Sequence, residues 1–286
     1  MKDAIVAAVQ LGSEVGCVQE NAQRMIRWAK RAREAGVALV CFPECSLTGF
    51  STERAMDTAI GPDAADVRRI REFARSSHLA IGFGYAEDRG GTLRPFNTYE
   101  IASADGCLRY RKTHLGAREA PAFSAGDELA TARIGGICVG VQLCWEGHIA
   151  DIAATLRAQG AELLLAPHAG GLGGVRRLQA WNRYLPARAL DNGLFVVACN
   201  ALRRAGEPDD ALPARADADR AQATCADAGG GMAAYAPDGS LLSSYGGSDE
   251  NLMLVRIGGA LPRELPQNGM RNISYFDRRR PELYAG

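Results

Sequence analysis

Three polar residues, Glu44, Lys112 and Cys144, each stand where a run of apolar residues gives way to a loop. A cysteine attacks a carbonyl or nitrile carbon as the thiolate, so a neighbouring group must take its proton, and a carboxylate such as Glu44 can do so. Attack places negative charge on oxygen or nitrogen. The Lys112 ammonium and the backbone N–H after the nucleophile, that of Trp145, can stabilise this charge. Loss of one such donor typically slows a reaction by about 10²–10³. The departing amine needs a proton, which the carboxylic acid can return. Each residue also has a plainer reading on its own: a buried structural thiol, a helix cap or surface acid, and a solvated hairpin end.

The elements that must position these groups follow from apolar periodicity. Ala4 to Gln10 reads as a buried strand; Val18, Ala22, Met25, Ile26, Ala29 and Ala32 recur at helical spacing, and Gly36 stops the helix. Val37 to Phe42 is a continuous apolar run, the mark of a central strand covered on both faces. Glu44 therefore stands at the C-terminal end of a buried strand, where open α/β sheets place their chemistry. A helix over 63–77 and a strand over Leu79–Tyr85 follow. Asn97–Ala104, the turn Asp105-Gly106 and Cys107–Arg111 predict a hairpin that delivers Lys112.

A second hairpin, from Leu129 through Gly135-Gly136, delivers Cys144, and a helix pattern begins near His148. A cysteine on a tight strand-to-helix turn is lifted out of the sheet, next to the amides that open the helix and favour a thiolate. Beyond it the pattern predicts a strand over Glu162–Ala166 that stops at Pro167-His168. One amphipathic helix is expected over Val175–Leu190, its stripe formed by Val175, Leu178, Trp181 and Leu185. Then come a strand over Leu194–Cys199, a hairpin of Met232–Tyr235 with Leu241–Tyr245, and a last strand over Leu252–Ile257. Residues 203–228, rich in Ala, Asp, Arg and Pro, read as a long surface loop. The tail from 268 has little core pattern and is expected to pack on another surface or another subunit. The alternation of strands and helices is that of an α/β domain, here one domain over 1–286.

Composition narrows the partners. Basic and acidic residues balance at 33 each, so there is no basic field for nucleic acid or an anionic membrane, and a small molecule is the expected partner. No run approaches the roughly 18 apolar residues of a membrane span. The first residues run straight into a strand with no export-signal pattern, and eight scattered cysteines are not a disulfide framework. A reducing cytoplasm is the expected compartment. Cys41 and Cys45 are too loosely spaced from any histidine for a zinc site. Gly170–Gly174 lacks the lysine and spacing of a phosphate loop. No metal or organic cofactor is expected.

Phe42-Pro43-Glu44, Arg111-Lys112-Thr113-His114-Leu115 and Leu143-Cys144-Trp145-Glu146 resemble the three signature segments of the nitrilase, or carbon–nitrogen hydrolase, superfamily, in the family's order and at its separations. Ala161–Pro167, Ala187–Asn192 and Pro281–Tyr284 extend the likeness over nearly the whole chain. The resemblance implies a Glu44-Lys112-Cys144 triad. It also implies a four-layer α-β-β-α sandwich of the nitrilase type, with subunits pairing into an eight-layer homodimer. Glu119, seven residues after the lysine, matches a second active-site glutamate that orients the lysine or shuttles protons; its plainer reading is a solvated loop acid. Trp145 and Glu146, beside the nucleophile, and His168, after a strand end, are expected on the oxyanion or substrate pocket. His114, Trp181 and Tyr184 are expected in structural roles. The implied activity is hydrolysis of a linear amide or N-carbamoyl amine. The alternatives are a nitrilase acting on a nitrile, since Cys-Trp-Glu occurs in nitrile-cleaving members, and a non-catalytic member that binds a metabolite. The segment Gly49-Phe50-Ser51-Thr52-Glu53 departs from the family by lacking a proline-containing continuation.

Overall fold

A computed structural model describes residues 3–202, 229–258 and 275–283. The chain runs β1 (Ala4–Gln10), α1 (Val18–Glu34), β2 (Leu39–Cys41), α2 (Ala55–Thr58), α3 (Ala65–Ser77), β3 (Ala80–Glu87), β4 (Phe96–Ala102) and β5 (Cys107–Arg111). It continues through β6 (Thr131–Ile134), β7 (Ile137–Val141), a 3-10 turn at Cys144–His148, α4 (Ala150–Ala158), β8 (Leu163–His168), α5 (Gly174–Trp181) and α6 (Leu185–Asn192). The last strands are β9 (Phe195–Asn200), β10 (Met232–Tyr235), β11 (Leu241–Tyr245) and β12 (Asn251–Ile257). The loop expected at 203–228 lies outside the described residues. So does most of the tail from 268, of which Phe276–Arg278 and Pro281–Leu283 form short 3-10 turns.

Two six-stranded sheets form, in the orders β12-β1-β2-β3-β4-β5 and β11-β10-β9-β8-β7-β6. Both follow one plan. Three parallel strands joined by helical crossovers sit in the middle (β1, β2, β3 and β7, β8, β9), with antiparallel partners outside them. The sheets pack face to face because their strands are apolar on both sides. Val6 and Ala8 point into the core between the sheets, whereas Ala7 and Val9 meet α1 and α3. Leu163 and Leu165 share that inter-sheet core, whereas Leu164 and Ala166 meet α4, α5 and α6. Period-two alternation with both faces covered therefore yields four layers, α-β-β-α.

The strand directions put the chemistry on one edge. β3 and β4 are antiparallel, as are β4 and β5, so β5 runs in the same sense as β2. The residues just past β2 and β5, Glu44 and Lys112, thus leave the first sheet at the same end. In the second sheet β7 and β8 are parallel and end near Cys144 and at His168.

One element differs from its sequence pattern. The helix expected over Val175–Leu190 is broken at Asn182–Tyr184 into α5 and α6. Pro186 sits in the first turn of α6, where its missing N–H costs nothing, whereas inside a longer helix its ring would clash with the preceding turn. Val175, expected on the buried stripe, is 62% exposed.

Candidate active site

Lys112 is buried, 1% exposed, between two carboxylates. Its ammonium donates to Glu44 Oε1 at 2.8 Å and to Glu119 Oε1 at 2.6 Å. Glu44 Oε1 also accepts from Asn97 Nδ2 at 2.8 Å, and Glu119 Oε2 accepts from the Gly116 N–H at 2.8 Å. Burial holds Lys112 down, but Glu44 and Glu119 beside it outweigh burial and raise its pKa well above the usual lysine value. Glu44 moves the other way from an ordinary ion-paired acid. Burial, only partly offset by Lys112 and reinforced by Glu119, raises its carboxyl. A carboxylate with raised proton affinity is what a base facing a thiol requires.

The chain turns sharply after Glu44: Cys45 has φ +49° and packs against β3. A Cβ on Gly84 would lie 2.3 Å from the Cys45 nitrogen, so glycine in β3 lets the Glu44 turn close on the sheet. Cys144 is built the same way, with φ +44° on the turn between β7 and the 3-10 segment. A left-handed conformation in a non-glycine residue costs about 1–2 kcal/mol, and such strain collects at functional sites. The thiol is pushed up to about 12, first by burial and then by the Glu44 charge, with Lys112 and Arg177 opposing. The resting group is therefore the thiol, and nucleophilic use of it would require a base to take its proton.

Glu44, Glu119 and Cys144 line one cavity of about 360 Å³, with Trp145, His168, Arg177 and Tyr184 among its other walls. A small-molecule site of a few hundred Å³ is of ordinary size. Trp145 is half exposed and its ring sits 5.3 Å from that of His148, which lies 4.4 Å from Tyr184. His168 is buried and neutral. Its Nδ1–H donates to the Ala166 carbonyl at 2.9 Å, and its Nε2 accepts from Trp181 Nε1–H at 3.0 Å. Burial, then Arg177, lowers its pKa well below the usual histidine value.

Two expectations need correction. Glu146 does not line the cavity. Its Oε1 accepts from Tyr110 Oη at 2.6 Å, from Thr113 N and Oγ1 at 2.8 Å each and from His114 N at 3.0 Å, while Oε2 accepts from Leu143 N at 2.8 Å. A carboxylate holding five donors is turned into the protein, where it ties the loop after Lys112 to the turn that carries Cys144. Tyr184, expected in a structural role, is a cavity wall because the break between α5 and α6 swings it over Gly147. His114 keeps its structural role and bonds Thr113 Oγ1 at 2.8 Å.

Asn97 and Arg177 escape the sequence reading. Asn97 was within reach of it: the Asp105-Gly106 turn pairs Thr98 with Arg111, so Asn97 stands opposite Lys112, whose N–H donates to the Asn97 carbonyl at 2.9 Å. Arg177 gives no such signal, being one of two adjacent arginines on an amphipathic helix.

The profile of the carbon–nitrogen hydrolase family matches residues 5–266. The chain belongs to this family, the nitrilase superfamily. It is 30% identical over 210 residues, 68% of its length, to a nitrilase and fragile histidine triad fusion protein of Caenorhabditis elegans, of which it spans only 47%. It is 29% identical over 211 residues to an (R)-stereoselective amidase of a Pseudomonas species, covering 72% of this chain and 73% of that one. An amidase from Nesterenkonia, seen as a cysteine-to-alanine mutant with butyramide, superposes over 98% of this chain and 95% of that one with a TM-score of 0.77 at 22% identity. The four-layer fold is thus that of nitrilase-superfamily amidases, and this carbon–nitrogen hydrolase is an enzyme of the amidase/nitrilase type. No helix among the described residues is long and apolar enough to cross a membrane.

Proposed function

We propose that this carbon–nitrogen hydrolase cleaves a linear amide or N-carbamoyl amine of a small molecule through a thioester on Cys144. The observation that carries the reading is the buried Glu44–Lys112–Glu119 cluster opening on the same cavity as a strained cysteine. Glu44 takes the thiol proton as sulfur bonds to the carbonyl carbon. The oxyanion meets the Lys112 ammonium and the Trp145 N–H, which as the second amide of a 3-10 turn that begins at Cys144 has no intrahelical acceptor. The C–N bond then breaks and the amine leaves with the proton held by Glu44. Water attacks the thioester, Glu44 takes its proton, the S–C bond breaks, and the thiol is restored with a carboxylic or carbamic acid as product. Glu119 holds Lys112 against Glu44 and supports proton movement. The amide-bound relative in fold supports an amide over a nitrile.

Paired subunits and a cytoplasmic setting belong to the same reading. Val175 and Leu190, exposed on α5 and α6, offer an apolar face to a second copy. Ammonia release measured over aliphatic amides, N-carbamoyl amines and nitriles tests the function, with mass mapping of the iodoacetamide adduct as a second readout. Selective labelling of Cys144 with turnover of amides or carbamoyl amines is expected. Turnover of nitriles alone overturns the substrate class, and unselective labelling without turnover makes the protein a binding member.

A further inference from the structure

Asn97 touches Glu44, Glu119 and Lys112, yet the proposed reaction gives it no task. It is fully buried on β4. Its backbone carbonyl accepts from the Lys112 N–H at 2.9 Å. Its Nδ2 donates to Glu44 Oε1 at 2.8 Å and reaches Glu119 Oε1 at 3.4 Å. The other end of the amide has a donor of its own: Cys45 Sγ–H points at Asn97 Oδ1 across 3.4 Å. That pairing settles which way the amide faces, since an ionised carboxylate only accepts and a thiol can donate. Burial and the Glu44 charge push the Cys45 thiol up, so it keeps its proton.

The consequence falls on Glu44. Lys112 and Asn97 both donate to its Oε1. Among the described residues no donor meets Oε2, and this oxygen opens on the cavity that Cys144 also lines. We infer that Asn97 is a positioning residue for the base: with Cys45 behind it, it engages Glu44 Oε1 and leaves Oε2 as the oxygen that takes the thiol proton. This rests on Glu44 acting as base in the proposed hydrolysis. The same hydrogen bond favours the ionised carboxylate, against burial and the Glu119 charge.

Other groups around Glu44 do not mimic this effect. Lys112, from the end of β5, is held protonated, and Cys144 and Tyr184 keep their protons well past neutral pH. His148 and His168, on the far walls of the cavity, are pushed below the usual histidine value. Arg118 and Arg177 contribute fixed positive charge. Glu119 shares Lys112 and Asn97 with Glu44, so an acid limb belongs to the cluster and not to one carboxyl.

Alkylation of Cys144 by iodoacetamide, in which sulfur displaces iodide while Glu44 takes the proton, reads the base whatever the natural substrate. Its rate is followed by mass mapping from about pH 4 to 9, across the carboxylate and histidine ranges. Asn97→Leu keeps the size of the side chain and removes both polar ends. It is expected to move the acid limb upward by about one to two pH units, the worth of a hydrogen bond to a charged group. The rate should fall about 10- to 100-fold below the wild-type limb and recover in good part above the new one. Butyramide hydrolysis, read as kcat/KM against pH, should move in the same way. Cys45→Ala should raise the limb by less, and Cys45→Ser, which keeps a donor, by less again. An Asn97→Leu limb that stays in place under a uniformly lower rate would make Asn97 only a strut between β4 and Lys112 and overturn the inference. Should Asn97→Leu not fold, Cys45→Ala decides, and a limb left in place there overturns it equally. A raised alkylation limb in a protein that releases ammonia from no amide or carbamoyl amine would instead sink the amide-hydrolase reading and leave the positioning of Glu44 standing.

Discussion

The Lys112 ammonium lies 2.8 Å from Glu44 Oε1, with both side chains 1% exposed, although 68 residues separate them in sequence. Removing the lysine leaves Glu44 and Glu119 facing each other in a buried site. Lys112→Met should therefore unfold more readily by about 3–5 kcal/mol, the usual result of stripping one partner from a buried ion pair. It should also lower kcat by at least about 10². Urea unfolding and steady-state kinetics check both effects. Wild-type stability in the variant would show the pair to be dispensable.

Cys144→Ala should abolish turnover, a loss of at least about 10³, while leaving the fold intact. Cys144→Gly is equally inactive but should be more stable than Cys144→Ala by about 1 kcal/mol. Its φ of +44° is free of cost for glycine and not for alanine. Calorimetry of the two inactive proteins makes the comparison, and an alanine variant as stable as the glycine one would remove the strain from the description.

Glu146 gathers five donors and touches no substrate in the proposed reaction. Glu146→Gln replaces one acceptor oxygen by a donor and leaves a buried N–H or O–H unpaired. A stability loss of about 2–3 kcal/mol is expected. A fall in kcat with little change in KM should accompany it, because Lys112 and Cys144 are displaced relative to each other. Tyr110→Phe removes one of the five donors and should cost less, about 1 kcal/mol. A Gln variant changed in KM alone would argue for direct substrate contact.

The pH dependence of kcat/KM should show an acid limb displaced upward from the ordinary carboxylate value near 4.5, because burial raises the Glu44 carboxyl and the base must be ionised to accept the thiol proton. No inflection belonging to a free thiol near 8.5 is expected, since Cys144 is pushed up to about 12. The limbs report the coupled Glu–Cys pair and not either residue alone. An acid limb centred at or below 4.5 contradicts the raised carboxyl.

His168 predicts a stability effect. Its folded pKa is lowered, so between that value and the unfolded value of about 6.5 the unfolded chain binds one more proton than the native one. Stability is complete above about pH 6.5 and falls as pH drops below it, by about 1.4 kcal/mol per unit for this group. Melting curves from pH 7 to 5 should slope more steeply in the wild type than in His168→Gln. Parallel slopes would mean that His168 is not held neutral.

Much of this was legible before any tertiary contact was known. Asp105-Gly106 and Gly135-Gly136 are hairpin turns whose registers are set locally, and the apolar runs ending at Phe42 and Leu143 are strand cores with period-two burial. Local geometry and burial pattern therefore placed Glu44, Lys112 and Cys144 at strand ends. The break before α6 was also signalled, by Pro186, but the apolar spacing on either side runs through it and reads as one helix.

Other features depend on groups distant in sequence. The spacing of Cys144-Trp145-Glu146 is compatible with a Glu146 carboxylate on either side of its turn. It faces inward because Tyr110, Thr113 and His114 arrive there with donors. Tyr184 and Arg177 reach the cavity because α5 ends at Trp181 and packs over β8, where Trp181 Nε1–H meets His168. By itself the sequence determined which side chains stand at the ends of strands, since alternation and turns are local properties of the chain. Only the packing of one sheet on the other decided which of those side chains share a cavity and which carry charge there, because burial and Coulomb interaction depend on distance in space.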